Sequence, residues 1–141
     1  MRLFGIEQCN CMALRRAARR ISQKYDDALA PAGLRATQFA ILAMLRDAQG
    51  WNVQDLADQL DLDRTTTGKN LRPLERDGLV ALKVSEADRR SRTILLTDAG
   101  RKTLAAALPL WLEAQRRFEE QNGRRRSREL RQTLAELRMG E

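Results

Sequence analysis

Between Asp63 and Asn70 the chain reads Asp-Arg-Thr-Thr-Thr-Gly-Lys-Asn, and a second polar stretch, Ser85 to Arg92, carries Asp88, Arg89, Arg90 and Arg92. These residue types suit recognition rather than bond-making chemistry. Hydroxyl, amide and cationic side chains on the first turns of a helix can reach base edges in the major groove, and a basic loop beside them can reach phosphates or the minor groove. Thr65 and Thr66 offer short hydroxyls for phosphates or thymine methyls, Asn70 can read adenine, and Arg64 and Lys69 supply charge. Arg90 suits a narrow minor groove, braced by Asp88 through a charge-assisted hydrogen bond, while Arg89 and Arg92 suit phosphates. Plainer readings stand beside these: Thr65 as support for a helix start, and Arg89 and Arg92 as a solvated loop.

Composition narrows the classes. The chain has 141 residues, with 26 Lys and Arg against 19 Asp and Glu, a formal charge of +7. That size suits one domain, and that balance favours an anionic partner, nucleic acid first. There is no histidine, which removes Ser-His and Cys-His nucleophiles and the usual imidazole metal ligands. Cys9 and Cys11 stand too close together to staple a fold and are too few for a tetrahedral zinc site within one chain. No catalytic residue, cofactor or metal is therefore expected. No apolar run approaches the roughly 20 residues that span a bilayer, and the N-terminal segment lacks a signal peptide's apolar core, so a cytoplasmic protein without membrane contact is expected.

The elements that would position the polar residues follow from periodicity. Leu14, Ala18, Ile21, Tyr25 and Leu29 mark an amphipathic helix from about Asn10 to Leu29, closed by Pro31 and Gly33. A second, largely buried helix spans about Ala36 to Asp47 and ends at Gln49-Gly50. Asn52 caps a short helix to about Leu60, with Val53, Leu56 and Ala57 on one side, and Asp63 caps the next, whose Thr67, Leu71 and Leu74 face inward. Two short helices so joined make a helix-turn-helix. Pro73 predicts a kink or an early end to the second of them.

Leu79 to Val84 and Thr93 to Leu96 read as a hairpin, the wing. A long helix from Thr97 and Asp98 to about Gln121, bent at Pro109 and broken at Gly123, carries Leu104, Leu108, Trp111, Leu112 and Phe118. A last helix from about Ser127 carries Leu130, Leu134 and Leu137, and Arg124, Arg125, Arg126 and Arg128 before and within it read as a solvated loop. The expected fold is mainly α with a small β-hairpin wing. Terminal helices whose apolar stripes one chain does not cover suggest a homodimer.

In their order and spacing, these residues resemble the MarR family of winged helix-turn-helix transcriptional regulators. The likeness lies in Leu34-x-x-Thr37-Gln38-Phe39, Leu56-Ala57-x-x-Leu60, Leu74 to Val80, Asp88-Arg89-Arg90 and Leu96-Thr97-Asp98-Ala99-Gly100. The resemblance implies a dimer binding a roughly palindromic operator and usually repressing nearby genes. It assigns residues 34–100 to the DNA-binding lobe and 1–33 and 101–141 to dimerisation helices. It also casts Asp88 and Arg90 as the family's Asp-x-Arg device in the wing. Two departures stand out: Pro73, and Arg35 where a Thr commonly caps the following helix. Arg35 leaves Gln38 without its capping-box partner, which would delay that helix by a residue or two.

Cys11-Met12-Ala13-Leu14 resembles the segment bearing the peroxide-sensing cysteine of OhrR-type members. A thiolate near a helix N-terminus is favoured by the dipole and by Arg15 and Arg16, and its oxidation would shift the dimer. Cys11, Cys9 and Tyr25 are the redox candidates. Tyr25 matches one of the subfamily's phenols, contributed by the partner subunit, and Ala36 stands where the second would be. Equally open are ordinary structural roles for these three, and release by a small aromatic ligand near Tyr25, Trp51 or Trp111. The expectation is a sequence-specific repressor released by thiol oxidation or a small ligand; the alternatives are a nonspecific architectural DNA-binding protein and a thiol peroxidase.

Overall fold

The computed structural model describes residues 5–47 and 50–140. Its elements are α1 (Asn10–Leu29), α2 (Ala36–Asp47), α3 (Val53–Leu60), α4 (Arg64–Arg76), β1 (Val80–Val84), β2 (Arg92–Leu96), α5 (Asp98–Asn122) and α6 (Arg124–Glu136). The architecture is a mainly helical one with a two-stranded antiparallel hairpin, a winged helix-turn-helix.

The periodicity of α1 is as read, but its first half stands exposed and only the part from about Ile21 onward meets the rest of the chain. Leu29 is fully buried, whereas Leu14 and Ile21 are exposed. After a 3-10 turn at Ala30–Ala32, Gly33 reverses the chain with φ 74°. α2 then begins at Ala36, without the delay expected from Arg35. The reason is a cap from outside the local sequence: the Ala36 N–H donates to Asp26 Oδ1 of α1 at 2.8 Å. Gln38 Oε1 accepts from the Arg35 N–H at 2.9 Å, so half a capping box survives. α2 is described to Asp47; Gln49, expected at its end, lies outside the described residues.

One apolar core gathers the elements from the end of α1 to the first half of α5. Leu29, Phe39, Ile41, Leu42, Leu45 and Leu56 meet Leu71, Leu74, Val80, Ile94 and Leu104 there. These buried side chains each contribute about 1.5–3 kcal/mol relative to exposure, and they set the faces of α3 and α4. α4 runs through Pro73 to Arg76 rather than ending early. The proline removes the donor that would reach the carbonyl of Lys69, an exposed residue, while Leu71 and Leu74 on either side of it stay buried in the core.

β1 and β2 pair from Val80↔Leu96 to Val84↔Arg92. Their root is fixed from two sides. The Ile94 N–H donates to the Trp51 carbonyl at 2.8 Å and Asn52 bridges Thr93, which ties β2 to the entry of α3. At the other side Thr97 Oγ1 donates to the Gly78 carbonyl at 2.6 Å and accepts from the Gly100 N–H at 3.0 Å. Gly100 is required there, because a Cβ at that position would stand 2.1 Å from the Leu79 carbonyl oxygen.

α5 continues through Pro109 to Asn122. α6 begins at Arg124, so the arginine run expected as a loop forms its first turns. Cations at a helix N-terminus oppose the dipole, which made a loop the simpler reading. Here Glu119 forms ion pairs with Arg124 at 4.0 Å and Arg131 at 3.7 Å, Glu129 accepts from Arg125, and Ser127 is buried with its hydroxyl donated to the Gly123 carbonyl. Leu112 of α5, Leu130 and Leu134 of α6, and Leu137 just after it remain exposed.

Candidate nucleic-acid interface

The polar residues of α4 are presented by a turn whose every part has a local cause. Asn52 and Asp55 form a reciprocal capping box: Asn52 Oδ1 accepts from the Asp55 N–H at 2.7 Å and Asp55 Oδ2 accepts from the Asn52 N–H at 3.0 Å. Leu56 and Ala57 are fully buried beneath it. α3 ends where Asp61 adopts left-handed geometry, φ 51°, and the Leu62 N–H returns to the Ala57 carbonyl. Asp63 opens α4 in extended geometry. Its side chain makes no cap to the backbone, yet its carboxyl is held below the usual carboxylate range, first by the Thr66 hydroxyl.

Burial of Thr67, Leu71 and Leu74 fixes the rotation of α4. Arg64, Thr65, Lys69 and Arg72 therefore stand exposed, and Thr66, Gly68 and Asn70 half-exposed on its flanks. Thr67 Oγ1 donates to the Asp63 carbonyl at 2.9 Å, which satisfies a buried hydroxyl. Asn70 Nδ2 donates to the Thr66 carbonyl at 3.0 Å and leaves Oδ1 free as an acceptor. Nδ2 keeps its second N–H, so one donor and one acceptor remain for adenine.

Asp88, Arg89, Arg90 and Arg92 are all exposed at the wing. Asp88 does not pair with the Arg90 guanidinium as expected from charge complementarity. It accepts instead from the Arg90 backbone N–H at 3.0 Å, while the Ser91 N–H donates to its carbonyl. The tip is an Asx turn, and Asp88 shapes the backbone rather than neutralising the side chain. Among the described residues, Arg64, Lys69, Arg72, Arg89, Arg90 and Arg92 join no salt bridge. Unpaired cations on a helix face and an adjoining hairpin are an arrangement suited to phosphates.

Arg72 is a member of this surface that the sequence reading passed over. Its signal was present in the spacing, since it lies two turns after Arg64 and off the Thr67, Leu71, Leu74 row.

The thiols sit apart from this surface. Cys9 is half-buried at the N-cap of α1 and Cys11 is exposed in the first turn. Tyr25 lies 14 residues beyond Cys11, about 21 Å along one helix, so the two cannot meet within a chain. Tyr25 donates its hydroxyl to Gln115 Oε1 of α5. Burial, with the negative charge of Glu119, raises its pKa against the opposing influence of Arg131. A cleft of about 410 Å³ between α1 and α5 is lined by Tyr25, Ile21, Lys24, Ala114 and Phe118. Neither tryptophan lines it: Trp111 stacks on Phe39 at 5.5 Å, and Trp51 is half-buried beside the wing root.

A MarR family model matches residues 34–91, the stretch from the connection before α2 to the wing tip. The fold superposes on the transcriptional repressor CouR bound to a 23-mer DNA duplex, with TM-score 0.84 and 32% identity over 96% of both chains. The chain belongs to the MarR family. A second MarR-like structure, the transcriptional regulator MOSR of M. tuberculosis in complex with DNA, is 38% identical over 93% of this chain and 99% of that one, with TM-score 0.78. CouR has also been solved bound to p-coumaroyl-CoA, at 29% identity, TM-score 0.84, and 96% and 95% coverage.

Among curated proteins, the organic hydroperoxide resistance transcriptional regulator of Bacillus subtilis (strain 168) is 30% identical over 95 residues, 67% of this chain and 65% of that protein. The matches span 47% to 65% of the first curated relatives' own lengths. These MarR relatives are transcriptional regulators rather than enzymes. No single helix among the described residues is long and apolar enough to cross a membrane.

Proposed function

We propose that the chain is a cytoplasmic, sequence-specific DNA-binding transcriptional repressor that acts as a homodimer on a palindromic operator. Residues 34–100 form its DNA-binding lobe, and 1–33 with 101–141 supply the dimer contacts. The carrying observation is the shared presentation of α4 and the wing: one buried face fixes α4, β2 is stitched to the entry of α3, and both offer cations that join no salt bridge among the described residues. Arg64, Thr65, Thr66, Lys69 and Asn70 enter the major groove, and Arg90 reaches the minor groove, with Arg89 and Arg92 on phosphates and Asp88 shaping the tip. The exposed leucines of α5 and α6 and the exposed face of α1 are the surface for a second copy. No catalytic role is part of this reading.

Footprinting on duplexes selected from a random pool tests it. A discrete two-fold footprint is expected, whereas uniform coating of the DNA would show the architectural reading to be right.

Release by thiol oxidation at Cys11 is the favoured switch, on the exposure of that thiol in the first turn of α1 and the similarity to a hydroperoxide-resistance regulator. Adding an organic hydroperoxide to the operator complex of wild type and Cys11→Ser decides it. Dissociation of wild type alone is expected; if both stay bound, a small-molecule effector takes its place.

A further inference from the structure

We infer that Gly68 is the point at which the α4 backbone itself closes on the DNA, so that its missing side chain sets how deeply the helix seats. This rests on the DNA-binding reading above. Glycine is the poorest helix former after proline, and inside a helix it gives up about 1 kcal/mol relative to alanine. Gly68 has ordinary helical geometry rather than the positive φ that would call for glycine. Nor does packing explain it, since a Cβ built there meets no atom within 4 Å. The contrast with Gly100, whose added Cβ would collide with the Leu79 carbonyl, is direct.

The space that a side chain would fill therefore opens outward, onto whatever meets this face of α4. Gly68 sits on the half-exposed flank of α4, one turn after Arg64 and one turn before Arg72, both exposed and in no salt bridge among the described residues. Eight residues of helix separate the two arginines by about 12 Å, close to the width of the major groove, about 12 Å in B-DNA. The pair can reach phosphates towards either rim while the bare backbone between them meets the base edges. A methyl group at position 68 would hold the helix off the floor of the groove and lengthen the contact of Thr65, which lies on the same side of the helix.

The test compares wild type, Gly68→Ala and Gly68→Val for thermal unfolding and for binding both to a duplex that the wild type selects from a random pool and to unselected duplex. Gly68→Ala is expected to unfold at a higher temperature yet bind the selected duplex on the order of tenfold more weakly, with Gly68→Val weaker still and affinity for unselected duplex unchanged. A purely structural glycine would not separate stability from specificity in this way. If both variants bind the selected duplex as tightly as wild type, the inference is wrong while the DNA-binding reading stands. If wild type selects no duplex, that reading fails and the inference falls with it.

Discussion

Asp26 of α1 accepts a hydrogen bond from the backbone N–H of Ala36, ten residues on, at 2.8 Å. Its neighbour Tyr25 bonds Gln115 of α5, so consecutive residues tie α1 to two different partners, the reader lobe and the long C-terminal helix. Asp26→Ala should cost about 1 kcal/mol of stability, the usual worth of a helix cap, and Asp26→Asn should keep most of it. Urea unfolding of the two variants measures the difference. Equal loss in both would point to charge rather than capping.

Tyr25 is the chain's single tyrosine, so its ionisation can be followed by absorbance without interference. Burial first, and Glu119 second, raise its pKa, and the midpoint is expected above the ordinary tyrosine value of about 10. The sign follows: the folded state holds this proton more tightly than the unfolded chain, so the associated stability is present below the unfolded value and is lost as pH rises through the folded one. A midpoint at or below that of the urea-unfolded protein would contradict the burial.

Gly100→Ala should be among the most damaging single changes in the chain. The new Cβ would lie 2.1 Å from the Leu79 carbonyl oxygen and 2.6 Å from Leu96 Cδ1, at the junction of the wing root and α5. Backbone has to move, at about 3 kcal/mol, the upper part of the range for overpacking. A thermal melt unchanged from wild type would rule out the close approach.

Arg90→Ala should weaken operator binding by about 1–3 kcal/mol and flatten its salt dependence by about one counterion. Asp88→Asn should bind nearly as wild type, because the Arg90 N–H needs an acceptor oxygen and not a charge. Titrations at several salt concentrations separate these outcomes. A large loss in Asp88→Asn would mean that the carboxylate pairs with the guanidinium on DNA after all.

Asp61, the non-glycine residue with positive φ among those described, closes the turn of the helix-turn-helix. Asp61→Ala should cost about 1 kcal/mol, since alanine lacks the local hydrogen bonding by which aspartate tolerates this geometry, whereas Asp61→Gly should be close to neutral. Chemical denaturation reads both.

Periodicity and capping residues made the helices legible because those signals are local. Asn52 and Thr97 cap the helices they open, Asp63 stands at the N-cap of α4 but makes no side-chain cap, and the inward row of Thr67, Leu71 and Leu74 is the buried face of α4. Three features escaped because their causes are not local. The start of α2 depends on Asp26 in another helix, the arginine run enters α6 because Glu119 and Glu129 offset it, and α4 outlasts Pro73 with Leu71 and Leu74 held in the core. At the proposed DNA surface, Asp88 bonds the Arg90 backbone N–H rather than the guanidinium expected to pair with it, since charge pairing is visible in a sequence and a turn's backbone bond is not. Arg72 was missed by reading only the first two turns of α4.

The single hydrogen bond from the Ile94 N–H to the Trp51 carbonyl, with the Asn52 and Thr93 bridge beside it, means that the hairpin cannot swing free of the two short helices. A motion passed down from the terminal helices would carry both grips off the duplex as one solid body, so detachment should be all-or-none within each half-site.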